Sequence, residues 1–190
     1  MAAATETFFG LLADPRCPQA LECLFEMKKR DNAKASALLV PHRAAWAELV
    51  VQIPRAAALL AARFWPGPLS IALAARPNLD SRLTHDGTVA VRQPGPSVAS
   101  EIAAAWGAPL TATSANVSGE PACEGDEGVR VLFRDETRTG RLWVAPGTAP
   151  GGAPSTIVRV DGERVDVVRP GAIPAWMVKG ALDGLPRGPT

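Results

Sequence analysis

Four groups of polar residues in this 190-residue sequence could do chemistry, and each lies at the end of an apolar segment. The cations in such groups suit an anionic ligand, while hydroxyl and amide groups can fix its orientation. The combination therefore predicts a site for a phosphate-bearing substrate, whose identity the residue types leave open. The groups are Thr5-Glu6-Thr7, Lys28-Lys29-Arg30 with nearby Lys34, Arg92, and Thr113-Ser114-Ala115-Asn116.

Each group taken alone also has an ordinary structural explanation. Lysine and arginine at the end of a helix complement the helix dipole, and serine and asparagine after a strand commonly form turns and caps. The functional interpretation depends on their lying together. In open α/β sheets, ligands bind beyond the carboxyl ends of the strands, and this is where we expect Arg92 and Ser114 to Asn116 to lie.

The patterns of other familiar enzymes are missing from the sequence. It has no GxxxxGK[ST] phosphate loop, no GxGxxG fingerprint, no GxSxG elbow and no HExxH zinc motif. The two histidines have no sequence partners that would support catalysis. The three cysteines form no CxxC pair, which argues against zinc and disulfides and favours thiols in a reducing cytosol. No metal ligands are therefore predicted.

The composition indicates a globular protein of ordinary type. The formal net charge is +1 and 21% of the residues are charged, so no overall charge excess indicates a nucleic-acid or anionic-membrane binder. No apolar run approaches the roughly 20 residues that a membrane span requires, and no signal peptide is evident. The sequence thus predicts a cytoplasmic protein that does not bind membranes.

The order of the predicted elements indicates an α/β sheet of mixed strand direction, because helices and strands alternate first and strands dominate the end. A chain of this length suits a single domain. The glycine- and proline-rich stretch 146–154 is either a mobile lid or a linker loop. Apolar patterning predicts helices at 18–30, 44–51, 54–64, 98–106 with Gly107 as its cap, near 129 and at 174–182, and strands at 36–40, 69–74, 88–92, 109–113, 141–145, 155–160 and 164–168.

Seven short segments, in order from about residue 4 to residue 173, resemble the motifs of the YrdC-like threonylcarbamoyl-AMP synthases. One such match is a weak signal, but seven in the right order are a strong one. The resemblance implies one YrdC-like domain with a twisted, mainly parallel and mixed sheet, flanking helices and a basic concave cavity. The segments are Ala4-Thr-Glu-Thr-Phe-Phe-Gly-Leu11, Lys28-Lys-Arg30, Phe64-Trp-Pro-Gly-Pro-Leu-Ser70, Val89-Ala-Val-Arg92, Thr113-Ser-Ala-Asn-Val-Ser-Gly119, Pro154-Ser-Thr-Ile-Val158 and Val168-Arg-Pro-Gly-Ala172.

The resemblance also implies a reaction in which L-threonine, bicarbonate and ATP give threonylcarbamoyl-adenylate and pyrophosphate. Partner enzymes of tRNA modification would then transfer the threonylcarbamoyl group to adenosine 37 of tRNA. Mg²⁺ is expected on the ATP phosphates. Catalysis would depend on positioning and charge neutralisation, because no base accompanies the motif hydroxyls to activate them as nucleophiles.

The residues of the site follow from the same motif matches. The resemblance implies that Arg92 binds the threonine carboxylate through its planar guanidinium, while the hydroxyls of Thr7 and Ser155 read other polar groups of the substrate. It also implies ATP contacts and catalytic groups at further motif positions. The expected ATP contacts are Arg30, Lys34, Thr88, Ser114 and Arg169, and the expected catalytic residues are Lys28, Arg30, Ser114 and Asn116, with Lys28 lining the same cavity.

The sequence departs from the family pattern at three places. It has no match to the helix and strand that precede the first motif in the family, so either the start is truncated or misassigned, or the sheet has lost a strand and another segment covers that edge. Ala4 stands where the family has proline. Asp31 stands where proline usually follows the arginine, beside the expected ATP contacts. Two alternatives stay open: a module that binds double-stranded RNA or tRNA without synthase activity, and a carbamoyltransferase-type paralogue.

Overall fold

The computed structural model describes residues 1–29 and 36–183. In this part of the chain no helix is long and apolar enough to cross a membrane. The strands are β1 (Ala2–Ala4), β2 (Phe9–Leu11), β3 (Ala37–Leu39), β4 (Leu69–Ala74), β5 (Thr88–Arg92), β6 (Leu110–Ser114), β7 (Thr156–Asp161) and β8 (Arg164–Arg169). The helices are α1 (Pro18–Met27), α2 (Arg55–Phe64), α3 (Val98–Trp106), α4 (Asp126–Leu132), α5 (Arg134–Arg138) and α6 (Ala175–Gly180), with 3-10 helices at Arg43–Glu48 and Ser81–Leu83.

These strands form one open sheet in the order β1-β2-β6-β3-β5-β4-β7-β8. Neighbours in it are antiparallel except at β3–β5 and β4–β7, which are parallel. The predicted mixed α/β sheet is confirmed, but the expectation that it is mainly parallel is wrong. Two of the connections, residues 5–8 and 162–163, are far shorter than the dozen or so residues that a parallel crossover needs.

One face of the sheet carries large apolar side chains. Leu38, Val91, Ile71 and Val158 form a row across four neighbouring strands, and all four side chains are fully buried. Helices α2 and α6 cover this row, with Leu60 of α2 in the same apolar cluster. This packing is the main core of the protein, since burial of such side chains stabilises the fold by about 1.5–3 kcal/mol each.

The opposite face carries small residues over part of its area. Gly10 pairs with Ser114 across β2 and β6, and Ala37 pairs with Ala112 across β3 and β6. Ser70 of β4 lies on the same face, two strands away from Ala37. Helix α3 covers one end of this face, and the small residues at the other end leave room for a cavity above the backbone.

The central elements form where the sequence predicts them. Strands β4 and β5 and helix α3 have the predicted boundaries, and Gly107 ends α3 with a left-handed φ of 69°. The helix expected at 18–30 ends at Met27, and the one expected at 44–51 is a 3-10 helix at Arg43–Glu48.

The strand expected at 141–145 is wrong. Val144 forms a single bridge to Ala2, flanked by hydrogen bonds from Ala2 N to Trp143 O (2.7 Å) and from Ala145 N to Ala2 O (2.9 Å). Of the three residues of β1, only Ala2 pairs with this segment, so no ladder forms. The segment nevertheless covers the outer side of β1, as we expected some segment to do at this edge.

Arg92 and Ser114 are the last residues of β5 and β6, and the carboxyl ends of these two strands point in opposite directions. Strand β5 is parallel to β3, whereas β6 is antiparallel to β3, so β5 and β6 run in opposite directions. The expectation that their carboxyl ends meet at one edge is therefore wrong. Both residues still reach a common cavity, because that cavity extends across the face of the sheet instead of lying beyond an edge.

Candidate functional site

A cavity of about 390 Å³ lies on the small-residue face of the sheet. Gly10, Ala37, Ser70 and Ala112 are among its lining residues, and their short side chains give it depth. Hydroxyl, amide and guanidinium groups line much of the rest beside apolar residues such as Phe8 and Ile157, as suits a polar, anionic ligand. Of the residues predicted for the site, the structure brings together Thr7, Arg92, Ser114, Asn116, Ser155 and Arg169 around this cavity.

Arg92 lies at the cavity wall with its guanidinium held on one side. Its Nη1 donates a hydrogen bond of 2.6 Å to Oε1 of Glu6, and the two side chains are only 6% and 13% exposed. Burial lowers the pKa of Arg92, while the charge of Glu6 raises it. A guanidinium stays protonated in proteins, so Arg92 remains a planar cation at the cavity wall.

Arg169, the last residue of β8, is held by Ser155. Its Nη2 donates to the Ser155 carbonyl oxygen at 2.7 Å and to Oγ at 3.0 Å, and Nε donates to the same carbonyl at 3.2 Å. The Oγ of Ser155 also lies 3.4 Å from the Oγ of Ser70. Burial and the nearby charge of Arg92 lower the pKa of Arg169. Two like charges that disfavour each other favour an anion between them.

Thr7 is oriented by a hydroxyl-centred turn. The Oγ1 of Thr5 accepts hydrogen bonds from the backbone nitrogens of Thr7 (3.1 Å) and Phe8 (3.3 Å), and it donates to the Phe8 carbonyl at 2.7 Å. The Oγ1 atoms of Thr5 and Thr7 lie 3.1 Å apart. The two threonines therefore act together, because Thr5 builds the turn that orients Thr7 and both residues line the cavity.

The stretch 146–154 is tied to the wall of the cavity. Gly151 N donates to the carbonyl oxygen of Thr7 at 2.7 Å, and Ala149 N donates to the carbonyl oxygen of Glu124 at 2.6 Å. Gly151 has a left-handed φ of 72°, and a Cβ there would collide with the carboxylate of Glu124. In this structure the stretch is a loop that backbone hydrogen bonds hold against the residues beside the cavity.

Lys28 is buried beneath the loop that follows β6 and is not among the described residues that line the cavity. Its Nζ donates to the carbonyl oxygens of Ser114 (2.5 Å) and Asn116 (2.9 Å) and to Oδ1 of Asn116 (2.7 Å). The same Oδ1 accepts a bond from Ser114 Oγ at 2.8 Å. These contacts hold the ammonium group of Lys28 within the protein, so the prediction that Lys28 lines the cavity is not supported. The lysine instead supports the loop of Ser114 to Asn116 from below.

Of three further predicted ATP contacts, two lie outside the part of the chain that the structure describes and one does not line the cavity. Arg30 and Lys34, together with Asp31, lie outside the described residues. Thr88 starts β5, at the opposite end of the strand from Arg92, and its Oγ1 donates to the carbonyl oxygen of His85 at 2.8 Å. The structure therefore does not bring Thr88 to the cavity.

Five further polar residues lie at or behind the cavity, and motif matching assigned none of them a role. Thr5, Ser70, Thr113 and Glu120 line it, and Glu6 lies behind Arg92. Ser70 ends the matched segment Phe64–Ser70, and Glu6 lies within the first matched segment. Their positions inside these segments are the sequence feature that could have indicated a role in the site. Nothing local in the sequence indicates that Glu6 pairs with Arg92, 86 positions away.

The fold and the cavity together define a class of protein, one with a mixed α/β sheet and, on its face, a cavity lined by two arginines and several hydroxyl groups. The chain belongs to the Sua5/YciO/YrdC family, whose model, described as "Telomere recombination", matches residues 1–171. This match confirms the resemblance that the seven ordered motifs indicated.

Named relatives of the chain are threonylcarbamoyl-AMP synthases. The one from Pyrococcus abyssi is 33% identical over 177 residues, which cover 90% of this chain and 49% of the relative. The one from Alkalilimnicola ehrlichii is 31% identical over 166 residues, covering 87% of this chain and 85% of the relative. The chain thus spans about half the length of the first relative and most of the second.

Solved structures agree with the fold. P. abyssi Sua5 complexed with L-threonine has a TM-score of 0.82 and 28% identity, covering 95% of this chain and 52% of that one. E. coli YciO has a TM-score of 0.71 at 18% identity, covering 90% of this chain and 82% of that one. At that identity the second likeness concerns the fold alone.

Proposed function

We propose that the protein is a threonylcarbamoyl-AMP synthase, which makes threonylcarbamoyl-adenylate and pyrophosphate from L-threonine, bicarbonate and ATP. The observation that carries the proposal is the cavity in which Arg92 and Arg169 lie among hydroxyl and amide groups. The names of the relatives support it, as does the threonine complex of P. abyssi Sua5. The product would serve tRNA-modification enzymes in the cytoplasm, which transfer the threonylcarbamoyl group to adenosine 37.

Threonine would bind at the Arg92 end of the cavity. The planar guanidinium suits a carboxylate, and the hydroxyls of Thr7 and Ser155 can bond to the other polar groups of the amino acid. The nucleotide would lie toward Ser114, Asn116 and Arg169. Arg30 and Lys34, which belong to the same motif region, are proposed as further phosphate contacts on sequence grounds alone.

The chemistry needs no covalent enzyme intermediate. The threonine amine and bicarbonate give N-carboxy-threonine and water. A carbamate oxygen then forms a bond to the α-phosphorus of ATP, and the bond between the α-phosphorus and the bridging oxygen breaks, so that pyrophosphate leaves with the electron pair. Two anions must approach each other in this step, and the arginines reduce their repulsion while the hydroxyls fix their positions.

Mg²⁺ would accompany the ATP phosphates and neutralise part of their charge. Within residues 1–29 and 36–183 no group of three or more histidine, cysteine or acidic side chains could hold an ion. Glu120 is the acidic residue among those that line the cavity. This donor set fits an ion that arrives with the nucleotide better than one held by the protein alone.

Pyrophosphate release from ATP tests the proposal. We expect release that requires both L-threonine and bicarbonate, is not supported by carbamoyl phosphate, and collapses in Arg30→Ala. Release driven by carbamoyl phosphate would identify a carbamoyltransferase-type paralogue instead. Absence of any release, together with salt-sensitive binding of duplex RNA, would identify an RNA-binding module.

A further inference from the structure

The two arginines of the cavity differ in their partners. Arg92 pairs with the carboxylate of Glu6 at 2.6 Å, and both side chains are almost entirely buried. Arg169 donates to the carbonyl and hydroxyl oxygens of Ser155, and it forms no ion pair with any residue in 1–29 or 36–183. One guanidinium therefore has its charge compensated within the protein, while the other has only neutral partners.

We propose that Glu6 is a specificity-determining residue, which compensates the charge of Arg92 so that this end of the cavity takes an amino-acid carboxylate and rejects phosphate. The uncompensated Arg169 end then takes the phosphates of the nucleotide. The inference rests on the proposed function, since it explains how two arginines in one cavity sort two different anions.

The charges of the ligands give the physical reason. An amino acid is neutral overall, so it needs hydrogen-bond donors for its carboxylate but little net positive potential. Phosphate carries up to two negative charges near neutral pH and needs an excess of positive charge around it. The Arg92–Glu6 pair provides donors without that excess, and a phosphate placed beside it would also be repelled by the Glu6 carboxylate.

Gly95, in the turn Pro94-Gly95-Pro96, packs against the side chain of Glu6. A Cβ at Gly95 would lie 3.3 Å from Cγ of Glu6 and 3.6 Å from Cα of Gly67, so a side chain there would push against the glutamate. Gly67 N donates to the carbonyl oxygen of Gln93 at 3.0 Å, which ties the turn that contains Gly67 to the one that contains Gly95. The absence of a side chain at Gly95 therefore leaves room for the stem of Glu6, whose carboxylate bonds to Arg92.

Stability is a poor explanation for this pair. The Oε2 of Glu6 is buried and accepts no hydrogen bond from the described residues. Buried ion pairs often stabilise a fold no better than apolar residues would, and a buried oxygen without a donor adds a further cost. A role of the Glu6 charge in selecting the ligand explains why a carboxylate lies beside Arg92.

The substitution Glu6→Gln removes the charge and keeps the shape of the side chain. We expect the affinity for inorganic phosphate, measured by calorimetry, to rise about tenfold or more, and phosphate to become competitive with L-threonine. The affinity for ATP should stay within about twofold of wild type. The control is Glu26→Gln, which breaks the exposed Arg141–Glu26 pair of 2.8 Å and should change none of these constants.

The proposal is overturned if Glu6→Gln folds and its phosphate affinity stays within twofold of wild type, or if the added phosphate does not compete with threonine. Should that variant not fold, Arg169→Met tests the other half. It should lose about tenfold in phosphate affinity and keep threonine affinity within about threefold, and an equal loss of both would overturn the division. These experiments measure binding and do not require turnover. They therefore test the role of Glu6 separately from the proposed synthase activity.

Discussion

Lys28 and Arg92 are both buried cations in matched motifs, yet the structure uses them differently. The ammonium of Lys28 donates to three oxygen atoms of Ser114 and Asn116 and lies below the cavity. The guanidinium of Arg92 bonds to Glu6 through one nitrogen and lines the cavity. A cation at a site can therefore either build the loop that binds the ligand or bind the ligand itself. The two roles give different results when each residue is replaced.

Replacement of the lysine should give the largest effect, and it should be an effect on stability. Lys28→Met keeps the apolar stem but leaves three buried oxygen acceptors without this donor, which should lower the free energy of unfolding by about 3 kcal/mol. Urea unfolding measures it. If the variant unfolds like wild type and loses only its affinity for ATP, Lys28 contacts the nucleotide and the distinction between the two cations fails.

Replacement of the arginine should affect binding more than folding. Arg92→Lys keeps a cation beside Glu6 but loses the planar fork, so we expect threonine affinity to fall about tenfold to a hundredfold. The free energy of unfolding should fall less than in Lys28→Met, because a lysine still pairs its charge with the buried Glu6 carboxylate. Calorimetry with L-threonine, set beside urea unfolding of the same sample, separates the two effects. A large loss of stability with threonine affinity unchanged would contradict a ligand-binding role.

A smaller effect should come from the hydroxyl that accepts a hydrogen bond from Arg169. Ser155→Ala removes the Oγ that accepts from Arg169 at 3.0 Å but keeps the carbonyl contact at 2.7 Å. We expect threonine affinity to fall about threefold to tenfold, as for the loss of one hydrogen bond. Ser118→Ala, a serine outside the lining residues of the cavity, serves as the matched control. Equal effects of the two substitutions would show that the Ser155 hydroxyl does not reach the substrate.

The smallest effect should be at Thr88. The family resemblance predicts an ATP contact there, whereas the structure places its hydroxyl on the carbonyl oxygen of His85, away from the cavity. The geometry therefore predicts that Thr88→Val changes the KM for ATP by less than about twofold. A rise of tenfold in that KM, measured by pyrophosphate release, would restore the contact expected from the motif.

The local elements were predictable because their signals are short-range. Strands β4 and β5 are apolar segments bounded by Pro-Gly-Pro turns, and α3 ends at a glycine whose left-handed φ suits a helix cap. Strand β1 was missed because Ala2–Ala4 has no alternation of apolar and polar residues. The segment 141–145 has an apolar run of four residues after Arg141, but it forms only a single bridge to Ala2, so it was predicted as a strand wrongly.

The direction of the strands could not be predicted from the same signals. A strand pattern is the same whether its neighbour is parallel or antiparallel, so the opposite directions of β5 and β6 were not visible in the sequence. This is why Arg92 and Ser114 were expected at one edge. Six of the lining residues were predicted nevertheless, because the motif matches do not depend on strand direction.

By itself the sequence determined the family, the α/β class and the chemical groups of the site, since these follow from residue types, ordered motifs and local periodicity. The tertiary structure decided which of the cations face the ligand and which support the loop. The contacts that decide this are long-range: Lys28 reaches Asn116 over 88 positions, and Arg92 reaches Glu6 over 86. Such pairings depend on strand order and burial, which local sequence patterns do not contain.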